Sequence, residues 1–232
     1  MCLGVDKVFL HKKYSAYAQT TTHTPKGAVM LTQDELERLV VDTMGDDYVE
    51  YGVMRLLTED LTTEEGKVTN ITCEIKEVRT LTSVTVTGSG EGAALTIFEA
   101  LKSKFGEEHP SLNYIYPISF TGDVQMPEKR RQSNLAEPLP ATFVFENNLG
   151  RRFVFSASDA SSTRAIASAI LKCIVHFVNA ERAVLKVLTW IADADSRKRP
   201  GLVDRYTRLL ADLIENASYS TSIERARRAA KI

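Results

Sequence analysis

Three glycines at alternate positions, Gly88, Gly90 and Gly92, carry the strongest chemical signal in the chain. They close an apolar strand pattern and open an amphipathic helix pattern in LTSVTVTGSGEGAALTIFEALKSKF, residues 81–105. A turn of this kind lets backbone approach backbone or ligand closely, and the free N–H groups at a helix start seat a carboxylate or a phosphate. It also serves as a plain tight joint, and the spacing alone does not choose between the two. Other reactive residue types are scattered. His11, His23, His109 and His176 form no H-x-H pair, and Cys2, Cys73 and Cys173 are odd in number and far apart, which fits neither a disulfide framework nor a zinc site. His176 and Cys173 sit by a helical apolar stripe and read as a satisfied half-buried residue and a small hydrophobe. Ser158, Asp159 and Ser161 precede that helix, where they either cap it or offer oxygens to a ligand amino group. No nucleophile elbow or triad spacing occurs, so no catalytic residue, metal or cofactor is expected.

The elements that must position the glycine turn are legible from periodicity. Thr32 and Glu35 form a T-x-x-E capping box ahead of Leu36, Leu39, Val40 and Met44, and Gly45 stops that helix. A second short helix is expected over residues 48–57, and the acidic, threonine-rich residues 58–66 read as a linker. Ile71, Cys73 and Ile75 alternate with polar residues as a half-buried strand, with Val84 and Val86 in its hairpin partner. After the turn, Ala94, Leu95, Phe98, Leu101 and Phe105 fall on one helix face. Tyr114, Tyr116, Ile118 and Phe120 share one side of a third strand, where Pro117 marks an edge or a bulge. Residues 124–140 form a polar loop. Phe143 and Phe145, then Phe153 and Phe155, mark two strands joined by a turn at residues 147–150. A long helix follows, then a break at residues 197–201, then an amphipathic helix with Leu202, Tyr206, Leu209, Leu213 and Ile214 in register.

The fold class is therefore α+β, in the order β-β-α-β-β-β-α. Four regions are expected: an arm with a strand near Val8 (residues 1–30), a small helical subdomain and linker (31–66), a ββα/βββα domain (67–182) and a helical extension (183–232). A chain of 232 residues, 44% hydrophobic and 25% charged, has the composition of a globular protein with a real core. Acidic side chains dominate residues 1–66 and basic ones residues 181–232, but the basic ones are interleaved with acids on helices. That is a solvated face, not the concentrated stripe of a nucleic-acid binder. No apolar run approaches the length that crosses a bilayer and no signal-peptide core is seen, so a cytoplasmic protein without membrane contact is expected.

This order, with its glycine turn, resembles the C-terminal regulatory domain of 2-isopropylmalate synthase and citramalate synthase. The family's G-x-GNGP-type turn is matched by Gly88, Ser89, Gly90, Glu91, Gly92 and Ala93, with Glu91 and Ala93 departing from it. Its aromatic strand ending in Gly-Asp is matched from Leu112 to Gly122 and Asp123, and its last strand and helix from Gly150 and Arg151 through Asp159 to Ala167 and Ser168. The likeness covers roughly residues 26–182, and no catalytic barrel or metal-binding H-x-H accompanies it. The resemblance implies a non-catalytic, allosteric dimerisation domain that binds leucine or isoleucine between two sheet-and-helix layers. By that likeness the effector contacts are Gly90, Gly92, Leu95, Tyr114, Ile118, Thr121 and Asp159. Expected partners are a branched-chain amino acid and either a second copy of the chain or a separately encoded synthase. Two alternatives remain open. The α-β-β-β-α run from Ala93 to Phe177 is similar to a double-stranded-RNA-binding module, although Arg164 alone is basic where that module has lysines. A scaffold working through its last helices is the other.

Overall fold

Ile71, Cys73 and Ile75 bury along one side of a strand whose other side carries Thr72, Glu74 and Lys76, and this strand becomes the middle of a three-stranded sheet. The computed structural model describes residues 31–63, 66–122 and 138–216; from Thr32 onward they belong to one unit. The expected arm over residues 1–30, most of the loop over residues 124–140, and residues 217–232 lie outside the described residues. Helix α1 (Gln33–Met44) leads into an antiparallel sheet of β1 (Tyr51–Thr63), β2 (Gly66–Glu77) and β3 (Ser83–Gly90), backed by α2 (Ala93–Gly106). The same plan then repeats with β4 (Ile115–Gly122), β5 (Leu139–Asn147), β6 (Arg152–Asp159) and α3 (Ser162–Ser196), before α4 (Pro200–Asn216). The fold is α+β: two βββα units framed by a helix at each end.

The first unit has one strand more than the sequence indicates. The expected helix over residues 48–57 and the linker over 58–66 are instead β1, paired with β2 from Tyr51 to Thr63. A bulge between Val53 and Arg55 shifts the alternation, and beyond it both Leu57 and Leu61 are exposed. Without a buried face, period 2 has nothing to register. The β4 reading is corrected for the same reason. Pro117 does mark both an edge strand and a bulge, between Pro117 and Ser119. That bulge places Tyr116 opposite Glu146 and Phe120 opposite Phe143, on different sides of the sheet, and Tyr114 lies earlier, in a 3-10 turn (Pro110–Tyr114).

One core runs through both units, from Ile75, Val86 and Phe98 to Phe145, Phe153 and Phe177, with Phe98 and Phe145 in ring contact at 5.5 Å. A second cluster joins Val40 and Met44 of α1 to Val184, Val187 and Ile191 of α3 and Leu210 and Leu213 of α4. Two of the expected divisions cut across observed elements. Residues 51–63 belong to the first sheet rather than to a helical subdomain, and the division at residue 182 falls inside the unbroken helix α3. By length and composition α3 is also apolar enough to span a bilayer, contrary to the sequence reading, but 72% of its most apolar stretch is buried within this fold. Its apolarity has a local cause: α3 touches β1, β5, β6, α1, α2 and α4.

Candidate functional site

The outer edges of β1 and β6 are not hydrogen-bonded to one another, and a crevice of about 410 Å³ opens between them. This is within the size range of small-ligand sites, roughly 300–1,000 Å³. One face of α3 contributes Ser168, Leu171, Lys172, Val175 and His176, at the spacing that puts residues on one side of a helix. From the sheets come Tyr51, Gly52 and Val53 on one side and Phe155 on the other. Helix α1 adds Glu37 and Val40, and Tyr48 and Glu50 complete the lining.

Side-chain amides take up part of each strand edge, as a neighbouring strand would. The Gln33 carboxamide donates to Val154 O at 2.8 Å and accepts from Val154 N–H at 2.8 Å, filling part of the β6 edge. Asn179 treats Val49, just ahead of β1, in the same way: its Oδ1 accepts from Val49 N–H at 3.0 Å and its Nδ2 donates to Val49 O at 2.8 Å. Helix α1 is placed by further contacts. Its start carries the expected capping box of Thr32 and Glu35, and its end is held by Lys186 Nζ, which donates to Met44 O at 2.9 Å and to Asp47 Oδ2 at 2.7 Å.

Charge is unbalanced around the crevice: two carboxylates, Glu37 and Glu50, stand against the Lys172 ammonium. Glu37 accepts from Gln33 Nε2 at 2.7 Å, and Lys172 donates to Ser156 O at 2.8 Å. Burial, and then the neighbouring Glu50 and Glu37 charges, raise the Tyr48 hydroxyl pKa. His176 departs from its sequence reading. It is buried rather than half-buried, and its Nε2 has no hydrogen-bond partner. Burial, with the positive charge of Arg151, lowers its pKa to about 4, so the ring is neutral at pH 7. The Nε2 atom is closed off from solvent, and the ring packs among Phe153, Phe155 and Phe177.

None of the seven residues expected to contact an effector lines this crevice. At the glycine turn the close approach is backbone to helix. A Cβ on Gly88 would lie 2.8 Å from Ala100 Cβ, and one on Gly90 would lie 3.1 Å from Thr96 Oγ1. Gly92 faces open space but has φ +77°, a conformation that L side chains rarely adopt. Close packing on α2 accounts for Gly88 and Gly90, and backbone conformation for Gly92. Leu95 is 55% exposed on α2, away from the packed face that was expected to include it, while Ile118 and Thr121 are exposed on β4. Asp159 shapes the start of α3: its Oδ1 accepts from Ser161 N–H at 2.9 Å, and Ser161 Oγ accepts from Arg164 N–H at 3.4 Å. The crevice residues were missed because each looks ordinary alone. The one usable signal was the repeat Ser168, Lys172, His176 and Asn179, a polar thread on a long apolar helix.

Cys73 and Cys173 are buried free thiols, and burial raises the pKa of both, that of Cys73 to about 11, so neither is primed as a nucleophile. Among the described residues no group of three or more His, Cys, Asp or Glu side chains could hold a metal ion. Comparison with known proteins places the chain in no family: no protein-family model matches it, and no curated protein matches its sequence.

Proposed function

We propose that the protein is a non-catalytic sensor of a free amino acid, with the ligand held in the crevice between the two βββα units. One observation carries this reading: a cavity of about 410 Å³ bounded by edges of both sheets, with opposite charges on its lining. Glu37 and Glu50 suit an ammonium, Lys172 suits a carboxylate, and Val40, Leu171 and Val175 offer surface for an aliphatic side chain. The reading keeps the function implied by the resemblance and moves the site from the glycine turn to the crevice. A ligand touching both sheets biases their mutual arrangement, which is what an effector must do to couple to an output. That output is self-association or contact with a separately encoded enzyme. RNA binding has less behind it, since Arg164 donates to Val53 O at 3.2 Å and pairs with Asp159 at 3.4 Å.

A thermal-shift screen of the full chain against each of the twenty amino acids at millimolar concentration tests the proposal. A ligand at 100 times its Kd adds about 2.7 kcal/mol, hence a rise of several degrees in Tm for a chain of this size. A response selective for one amino acid, or for the branched-chain group, is the expected result. A flat response to all twenty overturns it.

A further inference from the structure

Main-chain groups of β1 alternate between the sheet and the crevice. Val78 N–H donates to the Glu50 carbonyl at 2.8 Å, so Glu50 faces β2, and Val49, Tyr51 and Val53 face the outer edge by alternation. Along that edge the groups of Val49 are both taken by Asn179, and the Val53 carbonyl is taken by Arg164. Tyr51 stands between these two plugs. By the same alternation its N–H and C=O face the outer edge, beside the crevice that Tyr51 lines.

An adjacent N–H and C=O on a strand edge are complemented by a group with one acceptor and one donor at matching separation. The Asn179 carboxamide is such a group, and it is already seated two residues away. The α-carboxylate and α-ammonium of a free amino acid are another, and because they are charged their hydrogen bonds are shorter and stronger than neutral ones. Resting on the amino-acid reading above, we infer that the ligand binds as a one-residue strand. Its α-carboxylate accepts from Tyr51 N–H and its α-ammonium donates to the Tyr51 carbonyl. Glu37, Glu50 and Lys172 supply counter-charges for the zwitterion. The ligand class follows: compounds carrying both α-groups bind, and those lacking one do not.

The test is an NMR titration of the full, ¹⁵N-labelled chain with each of the twenty L-amino acids, combined with amide hydrogen exchange. An amino acid that shifts resonances of Val53, Leu171 and Val175 is expected to slow exchange of the Tyr51 amide about tenfold or more at saturation. The α-keto acid with the same side chain is expected to do neither. Shifts at the crevice with Tyr51 exchange unchanged, or an equal effect of the keto acid, overturn the edge pairing and leave the sensor reading standing. No shift with any of the twenty removes the sensor reading and this inference together.

Discussion

His176 packs its ring against Phe153, Phe155 and Phe177, at centroid separations of 5.7, 5.5 and 5.0 Å. Its folded pKa of about 4 lies below the ordinary histidine value of 6.5, so between these limits the unfolded chain binds a proton that the folded chain does not. Stability is therefore full above pH 6.5, falls as the pH drops through this window, and stops falling from this cause below about pH 4. The loss is on the order of 3 kcal/mol. Urea unfolding from pH 7 to pH 4 should show it, and His176→Leu should flatten the profile; a wild-type profile already flat would mean that the ring is protonated in the fold. The glycine turn teaches the opposite lesson at this scale. Its residue types suggested a ligand cradle, yet each glycine is accounted for by packing or by backbone conformation. At Gly88 and Gly90 what comes close is α2.

Two side-chain amides define the elements around the crevice, each standing where a strand would otherwise pair. Removing the Asn179 amide leaves Val49 N–H and C=O without partners and frees the approach to β1. Asn179→Leu should cost about 3 kcal/mol, since each polar group stranded from water costs about 1–3 kcal/mol. Faster amide exchange at Val49 should accompany the loss. An unchanged midpoint in urea would show that the edge is held by something else. Strand β1 also shows why element reading stopped short in the first unit. Alternation is visible only where one face is buried and the register is unbroken, as in β2; β1 carries a bulge and an exposed far half.

Helix α3 is the spine of the whole molecule. Its N-terminal half closes the two-sheet core, and its C-terminal half forms the second cluster with α1 and α4. Between them buried Glu181 accepts from Ser111 N–H at 3.2 Å and from Ser111 Oγ at 2.6 Å, tying the 3-10 turn to the helix. The unit from Thr32 onward should therefore unfold in one cooperative transition. A chain ending at residue 182 strips Val40 and Met44 of their partners and is expected to lose that transition, by calorimetry or by near-UV circular dichroism on heating. If it kept a sharp transition, the boundary first drawn at residue 182 would be real after all.

What the sequence determined by itself is whatever depends on neighbours along the chain. The capping box at Thr32, the alternation of Ile71, Cys73 and Ile75, the turn at residues 147–150 and the long helix all answer to local spacing, and all appear. The element order expected from periodicity, β-β-α-β-β-β-α, is short of the observed one by the strand β1. The crevice is a different kind of object. It exists because two sheets present unpaired edges across one helix, and because Gln33 meets Val154, Asn179 meets Val49 and Arg164 meets Val53, partners more than a hundred residues apart. No local period encodes such a meeting. Only the packed chain decides which carbonyl, amide or imidazole is left without a partner.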